Sequence, residues 1–298
     1  ATDDGIHIEG TMNSVTFGAT TVADAGNDCI DIDGAMDTVD FGVTSITDSG
    51  DDGITVTNTG AVGDVTFDSI DIDTTVDEGL ILSGNAGAFT VNNGTEVYNV
   101  GTIGIDIADN AGTVNFNDLT TVYNAGVTGF EVTASSSNIT IATLLDVEKT
   151  GDEGVLIEDF TGNFVAGSTE VTNAGETNPS AGVQVYNSAG NIDFGALTVD
   201  TTTDQGVALY NSSSITIVGG TIDNTATDGI YAKNTNLIVN SAVLGGTGAI
   251  GGDGIAIVVD DGATYNASIL NTEITTIAGD GIAIDSVGGV VLTSLIEG

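Results

Sequence analysis

A chain of 298 residues with 43 acidic side chains, two basic ones (Lys149 and Lys233) and a formal charge of −41 repels nucleic acid, whose binding needs Lys and Arg to release counterions, and repels anionic membranes. The balance favours cations or a salty medium as partners instead. With 40% hydrophobic residues the chain can build a core; it holds no apolar run of the roughly 18 residues that membrane insertion needs, and the single Cys29 rules out an intrachain disulfide.

Taken in chain order, the sequence repeats from its start. Asp3-Asp4 leads into Gly5-Ile6-His7-Ile8, then an apolar pair, Val15 and Phe17, then a third anchor, Val22, with Asp24 two residues on. The second copy reads Asn27-Asp28, Cys29-Ile30-Asp31-Ile32, Val39 and Phe41, Ile46, Asp48. The third reads Asp51-Asp52, Gly53-Ile54-Thr55-Val56, Val65 and Phe67, Ile72, and the fourth Asp77-Glu78, Gly79-Leu80, Phe89 and Val91, Val97, Asn99. Further starts follow at Gly104, Gly129, Gly154, Gly182, Gly206, Gly229, Gly254 and Gly281, making twelve starts 23 to 28 residues apart. Self-similarity at a fixed period near 25 marks a solenoid.

Each apolar pair alternates with polar residues, the period of a strand, and no segment sustains the 3.6-residue period of a helix. The expected fold is therefore all-β: a right-handed parallel β-helix of about 12 coils, about 25 residues per coil, three short strands per coil, forming one solenoid domain over residues 1–298. Strands stacked about 4.8 Å apart make a rod of about 58 Å. Glycine at each start is expected to turn a corner at positive φ, with Cys29 as a small substitute. Asp24, Asp48, Asn99, Asn124, Asn173 and Asn224 are expected to take left-handed turn conformations and form ladders. The even steps leave no room for a long insertion in any coil.

The acids before the starts are the candidate metal ligands: Asp3, Asp4, Asp28, Asp51, Asp52, Asp77 and Glu78. Stacked at strand spacing they repel one another, and Ca2+, which takes six to eight oxygen ligands, relieves that repulsion. Asp and Asn also suit turns without any ion. No EF-hand loop or nonapeptide calcium repeat is present, so the signal is one of composition. His7 reads as a lone outward residue.

The repeat resembles the right-handed parallel β-helix repeats shared by pectate-lyase-like enzymes, phage tailspikes and bacterial surface adhesins, over essentially the whole chain. Lyases of that fold hold calcium with acidic residues and use an Arg base, and this sequence has no Arg. Polygalacturonases use an Asp cluster with His, Arg and Lys nearby; Asp51-Asp52-Gly53 resembles a fragment of it, but the only histidine is far off at position 7. The resemblance is thus to the surface-protein type. The expected function is an extracellular, cell-surface structural protein that is not an enzyme. The alternative is a polysaccharide-active enzyme or carbohydrate-binding adhesin. With no cap evident, chains are expected to stack head to tail: Ile6 and Ile8 of one copy continue the columns ending at Ile282 and Ile284 of another, beside Val290 and Leu292. A joined copy would place Gly5 22 residues after Gly281, close to the repeat itself.

Overall fold

A computed structural model describes residues 3–34, 36–57, 63–287 and 289–295. Among them there is no helix, and the strands form two parallel sheets. The first sheet takes one strand from each repeat, twelve in all and in chain order, from Ile6–Glu9 to Ile282–Ser286. Twelve strands are joined by eleven full turns of a parallel β-helix, whose crossovers are right-handed. Coils 1 to 12 are numbered below by these strands.

The apolar pattern sets the register. Ile6, Ile30, Ile54, Leu80, Ile105, Phe130 and Val155 pair in succession, and Val183, Val207, Ile230, Ile255 and Ile282 continue the column. The third anchors likewise form one column from Val22 to Ile274. A one-residue slip would turn every inward side chain to solvent, so the alternation pins the pairing. The second and third strands share a 19-stranded sheet. In four coils they are not separate: Met36–Ser49, Asp64–Thr75, Asn138–Thr150 and Asn163–Ala174 run through as single bent strands.

Inside, one apolar core extends from Ile8 to Ile269. Phe17, Phe41 and Phe67 stack face to face, with ring centroids 4.5 and 4.8 Å apart. The run of rings continues through Phe89, Phe116, Phe130 and Phe164 to Phe194. Coil 6 carries Ile139 and Ile141 where neighbouring coils have Phe, and Phe130 from its first strand fills the gap.

The corner glycines overturn one expectation. None of those opening the first strands has positive φ; that conformation falls elsewhere, at Gly10, Gly34 and Gly84 and in an Asp/Asn-rich set. Their requirement is space. A Cβ on Gly104 would lie 2.3 Å from Val122 Cγ1 and 2.5 Å from the Gly129 carbonyl oxygen. Left-handed residues end the third strands, Asp24, Asp48, Asn99, Asn124, Asn173 and Asn224 as expected, together with Thr74, Lys149 and Thr201, and a second set follows the first strands, among them Asp109, Asp159, Asn187, Asn211 and Asn234. Asn124 Nδ2 donates to Asn99 Oδ1 at 2.9 Å, one rung of a ladder.

Candidate functional site

Acids gather in the turn between the left-handed residue and the next first strand. Their first task is backbone satisfaction, since an amide at a buried corner needs an acceptor. Asp28 Oδ1 accepts the Asp52 N–H at 3.2 Å, and Asp52 Oδ1 accepts the Glu78 N–H at 3.0 Å. The same contact recurs from Asp253 N–H to Asp228 and from Asp280 N–H to Asp253, at 2.8 and 2.7 Å. Each carboxylate thus caps the coil above it.

Three groups, among the described residues, place their ligand atoms within 4.8 Å of one another: Asp28, Asp51 and Asp52; Asp52, Asp77 and Glu78; and Asp4, His7 and Asp31. The first two share Asp52 and span coils 2 to 4. Of the seven residues singled out from the sequence, five therefore come together, Asp4 joins a different group, and Asp3 joins none of the three. The Asp3 carbonyl instead accepts the Gly26 N–H at 3.3 Å. His7 is exposed but not alone: its Nδ1 lies 2.7 Å from Asp31 and 3.4 Å from Asp4, and its Nε2 3.5 Å from Glu9. The hydrogen bond to Asp31 is the main reason its pKa is raised.

Burial dominates the electrostatics of the stripe. It pushes Asp28 to about 6 and Asp52 to about 7, and it raises Glu78; the contact with Glu78 adds to the rise of Asp52, while the same hydrogen bond works against the rise of Glu78. Two acids that the sequence reading did not single out extend the stripe along the first sheet. Asp106 and Glu131 are register partners on its outer face, pushed by burial to about 6 and about 7. Asp106 Oδ1 is buried without a hydrogen-bond partner. The available signal was an acid between two apolar residues in consecutive coils, Ile105-Asp106-Ile107 and Phe130-Glu131-Val132. The donors of the first two groups are carboxylate oxygens, the ligand type of hard cations. Three carboxylates supply part of calcium's shell, and carbonyls and water the rest.

No protein family model matches the chain, and no curated protein matches it. Among solved structures it is similar to a TibC-catalysed hyper-glycosylated fragment of TibA, at 14% identity, over 96% of this chain and 100% of that one, with a TM-score of 0.24.

Further along the first sheet the acids give way to aromatic rings. Tyr186, Tyr210 and Tyr231 form a ladder with centroids 6.1 and 5.5 Å apart. Lys233 Nζ pairs with Asp260 at 2.7 Å. Lys149 lies over the Tyr123 ring, 4.6 Å from its centroid, and donates to the Tyr123 hydroxyl. At the ends of the rod, Ile8 is buried and Ile6 half-buried, whereas Ile284 is 44% exposed and Ile282 and Val290 are half-buried. Leu292 pairs with Ala267 through the backbone, and its side chain lies outside the described residues.

Proposed function

We propose that this chain is an extracellular structural protein, a stiff β-solenoid of a cell surface or filament, with an acidic corner that takes up Ca2+ or another hard divalent cation. The observation that supports it is the register: twelve first-sheet strands pair in sequence over one continuous apolar core. Interstrand hydrogen bonds run along the axis and join every coil to the next, while the core resists bending. A cation held by Asp28, Asp51 and Asp52 or by Asp52, Asp77 and Glu78 bridges successive coils and removes the repulsion between them. The test is a melting curve at fixed ionic strength with millimolar calcium and with chelator. Calcium should raise the midpoint; identical midpoints would leave only general screening.

Copies of the rod stack head to tail in this reading. Ile282 and Ile284 extend the columns that begin at Ile6 and Ile8, and Ile284 is 44% exposed. A second copy covers them and pairs the open strand edge, in a heterologous contact that grows without closing. Electron microscopy should show fibres with an axial repeat of about 58 Å. Ile6→Asp with Ile8→Asp should block assembly while leaving the β-type circular dichroism intact. A rod that stays monomeric at every concentration, with and without calcium, would end the stacking idea.

The chain is read as non-catalytic. It has no Arg to serve as a lyase base, and the best-placed acids are held as amide caps. Turnover of polygalacturonate, alginate or a neutral glycan that disappears in Asp52→Asn would overturn this.

A further inference from the structure

The corner between the first and second strands changes length along the rod. From the start of the first strand to the start of the inward pair, the chain takes nine residues in coil 8, Val183 to Ile192. It takes eight in coil 9, Val207 to Ile215, and seven in coil 10, Ile230 to Leu237. Coil 11 takes twelve, from Ile255 to Ala267. Two shortened corners followed by a long one leave a notch across coils 8 to 11. It holds about 370 Å³, within the range of small-molecule sites. Near-even overall steps conceal these local changes of corner length.

The lining is polar and fixed in place. Asn187, Asn211 and Asn234 form an amide ladder along one side, at 3.2 and 3.3 Å. Ser213 and Asn236 also line the notch. The long corner of coil 11 supplies the far wall, where the Tyr265 hydroxyl donates to Asp261 Oδ2 at 2.6 Å and Ala263 N–H donates to Asp261 Oδ1 at 2.8 Å. The notch therefore offers amide donors and acceptors, an oriented carboxylate and the Tyr265 ring together.

We infer that this notch binds a neutral oligosaccharide. Hydroxyl groups match amides and a carboxylate, and the apolar face of a sugar ring packs on tyrosine, which presents an apolar body and a polar tip. Spanning four coils, the notch is about 14 Å long at strand spacing, enough for a short chain rather than one ring. Anionic sugars are disfavoured: the nearest cation, Lys233, is paired with Asp260, and Asp261 lines the wall. The site stands apart from the acidic corner, so it does not depend on the cation reading; at its far wall Tyr265 pairs with Val290 of the last coil.

The test uses the whole chain with maltohexaose, cellohexaose and mannohexaose as probes, and hexagalacturonate as the charged comparator. Saturation-transfer NMR detects binding and titration calorimetry measures it. At least one neutral hexasaccharide should bind. Tyr265→Ala should weaken it at least roughly tenfold and Tyr265→Phe by less, and hexagalacturonate should not compete. Where Tyr265→Ala lowers the melting midpoint, Asp261→Ala in the same wall is read in its place. No saturation transfer from any neutral probe at about 10 mM, an affinity loss below tenfold in the alanine variant, or equal binding of hexagalacturonate would each overturn the inference.

Discussion

Asp52 is shared by the two carboxylate groups, and one of its oxygens caps the Glu78 amide. Its raised pKa, about 7, and those of Asp28, Asp106 and Glu131 mean that the folded chain binds protons more tightly than the unfolded one. Their contribution to stability is fully present below the ordinary carboxylate range and is lost as pH rises through 6 to 7. The melting midpoint should therefore rise as pH is lowered from about 8 to about 5. If calcium binds as proposed, it competes with protons for the Asp28 and Asp52 oxygens, so its stabilising effect should be large at the higher pH and small at the lower. Asp52→Asn keeps an oxygen to accept the Glu78 N–H but removes the charge. It should raise the midpoint at pH 8 in chelator and flatten the pH profile; a lower midpoint with an unchanged profile would contradict the assignment. Thr95 and Thr120, register partners within the core, bury hydroxyl oxygens that find no partner. Thr95→Val or Thr120→Val removes a desolvated hydroxyl at nearly constant shape. Each should stabilise by about 1 kcal/mol in denaturant unfolding.

At the scale of the strand and its corners, glycine separates steric need from simple permission. Gly104→Ala drives a Cβ into Val122 and the Gly129 carbonyl, so a loss of about 1–3 kcal/mol is expected in chemical denaturation. Gly18→Ala meets nothing within 4 Å and has an ordinary φ. It should be neutral or stabilise by about 0.4–1 kcal/mol through the unfolded chain. The strands themselves were legible because pairs such as Ile30 and Ile32 recur at one spacing with one alternation. Left-handed Asn124 was legible because asparagine tolerates that conformation, whereas Lys149 in the same column was not: there the ladder on either side forces the conformation on the residue. Asp28 and Asp52 could be placed from their fixed offset before each start. Asp106 and Glu131 could not, since an acid flanked by apolar residues reads as one more outward side chain until the register stacks it on another acid. The notch escaped for a different reason. Coil 10 loses residues at its first corner and regains them after Leu244, so its step from Gly229 to Gly254 stays at 25.

Across the whole molecule, stability is built from nearest-neighbour terms, because each coil pairs with the one before and the one after. This explains why local departures are tolerated: the long third corner of coil 7, around Glu176 to Ser180, leaves the first-sheet register between Val155 and Val183 intact. It also sets what the proposed cation sites could do, for a bridge across coils 2 to 4 would stiffen that part of the rod and leave distant coils to their own contacts. The scarcity of positive charge has a further consequence, for resistance to proteolysis. A trypsin-like protease cuts only after Lys or Arg, and this chain offers it two peptide bonds, after Lys149 and Lys233. Both lysines lie in paired strands, Asn138–Thr150 and Ile230–Lys233, with one head group on Tyr123 and the other on Asp260. Such an enzyme must strip a strand from both neighbours before its cleft can hold the bond. A cut made there severs one coil of a stack whose remaining ladders stay closed, so a nicked rod keeps its length and its surface.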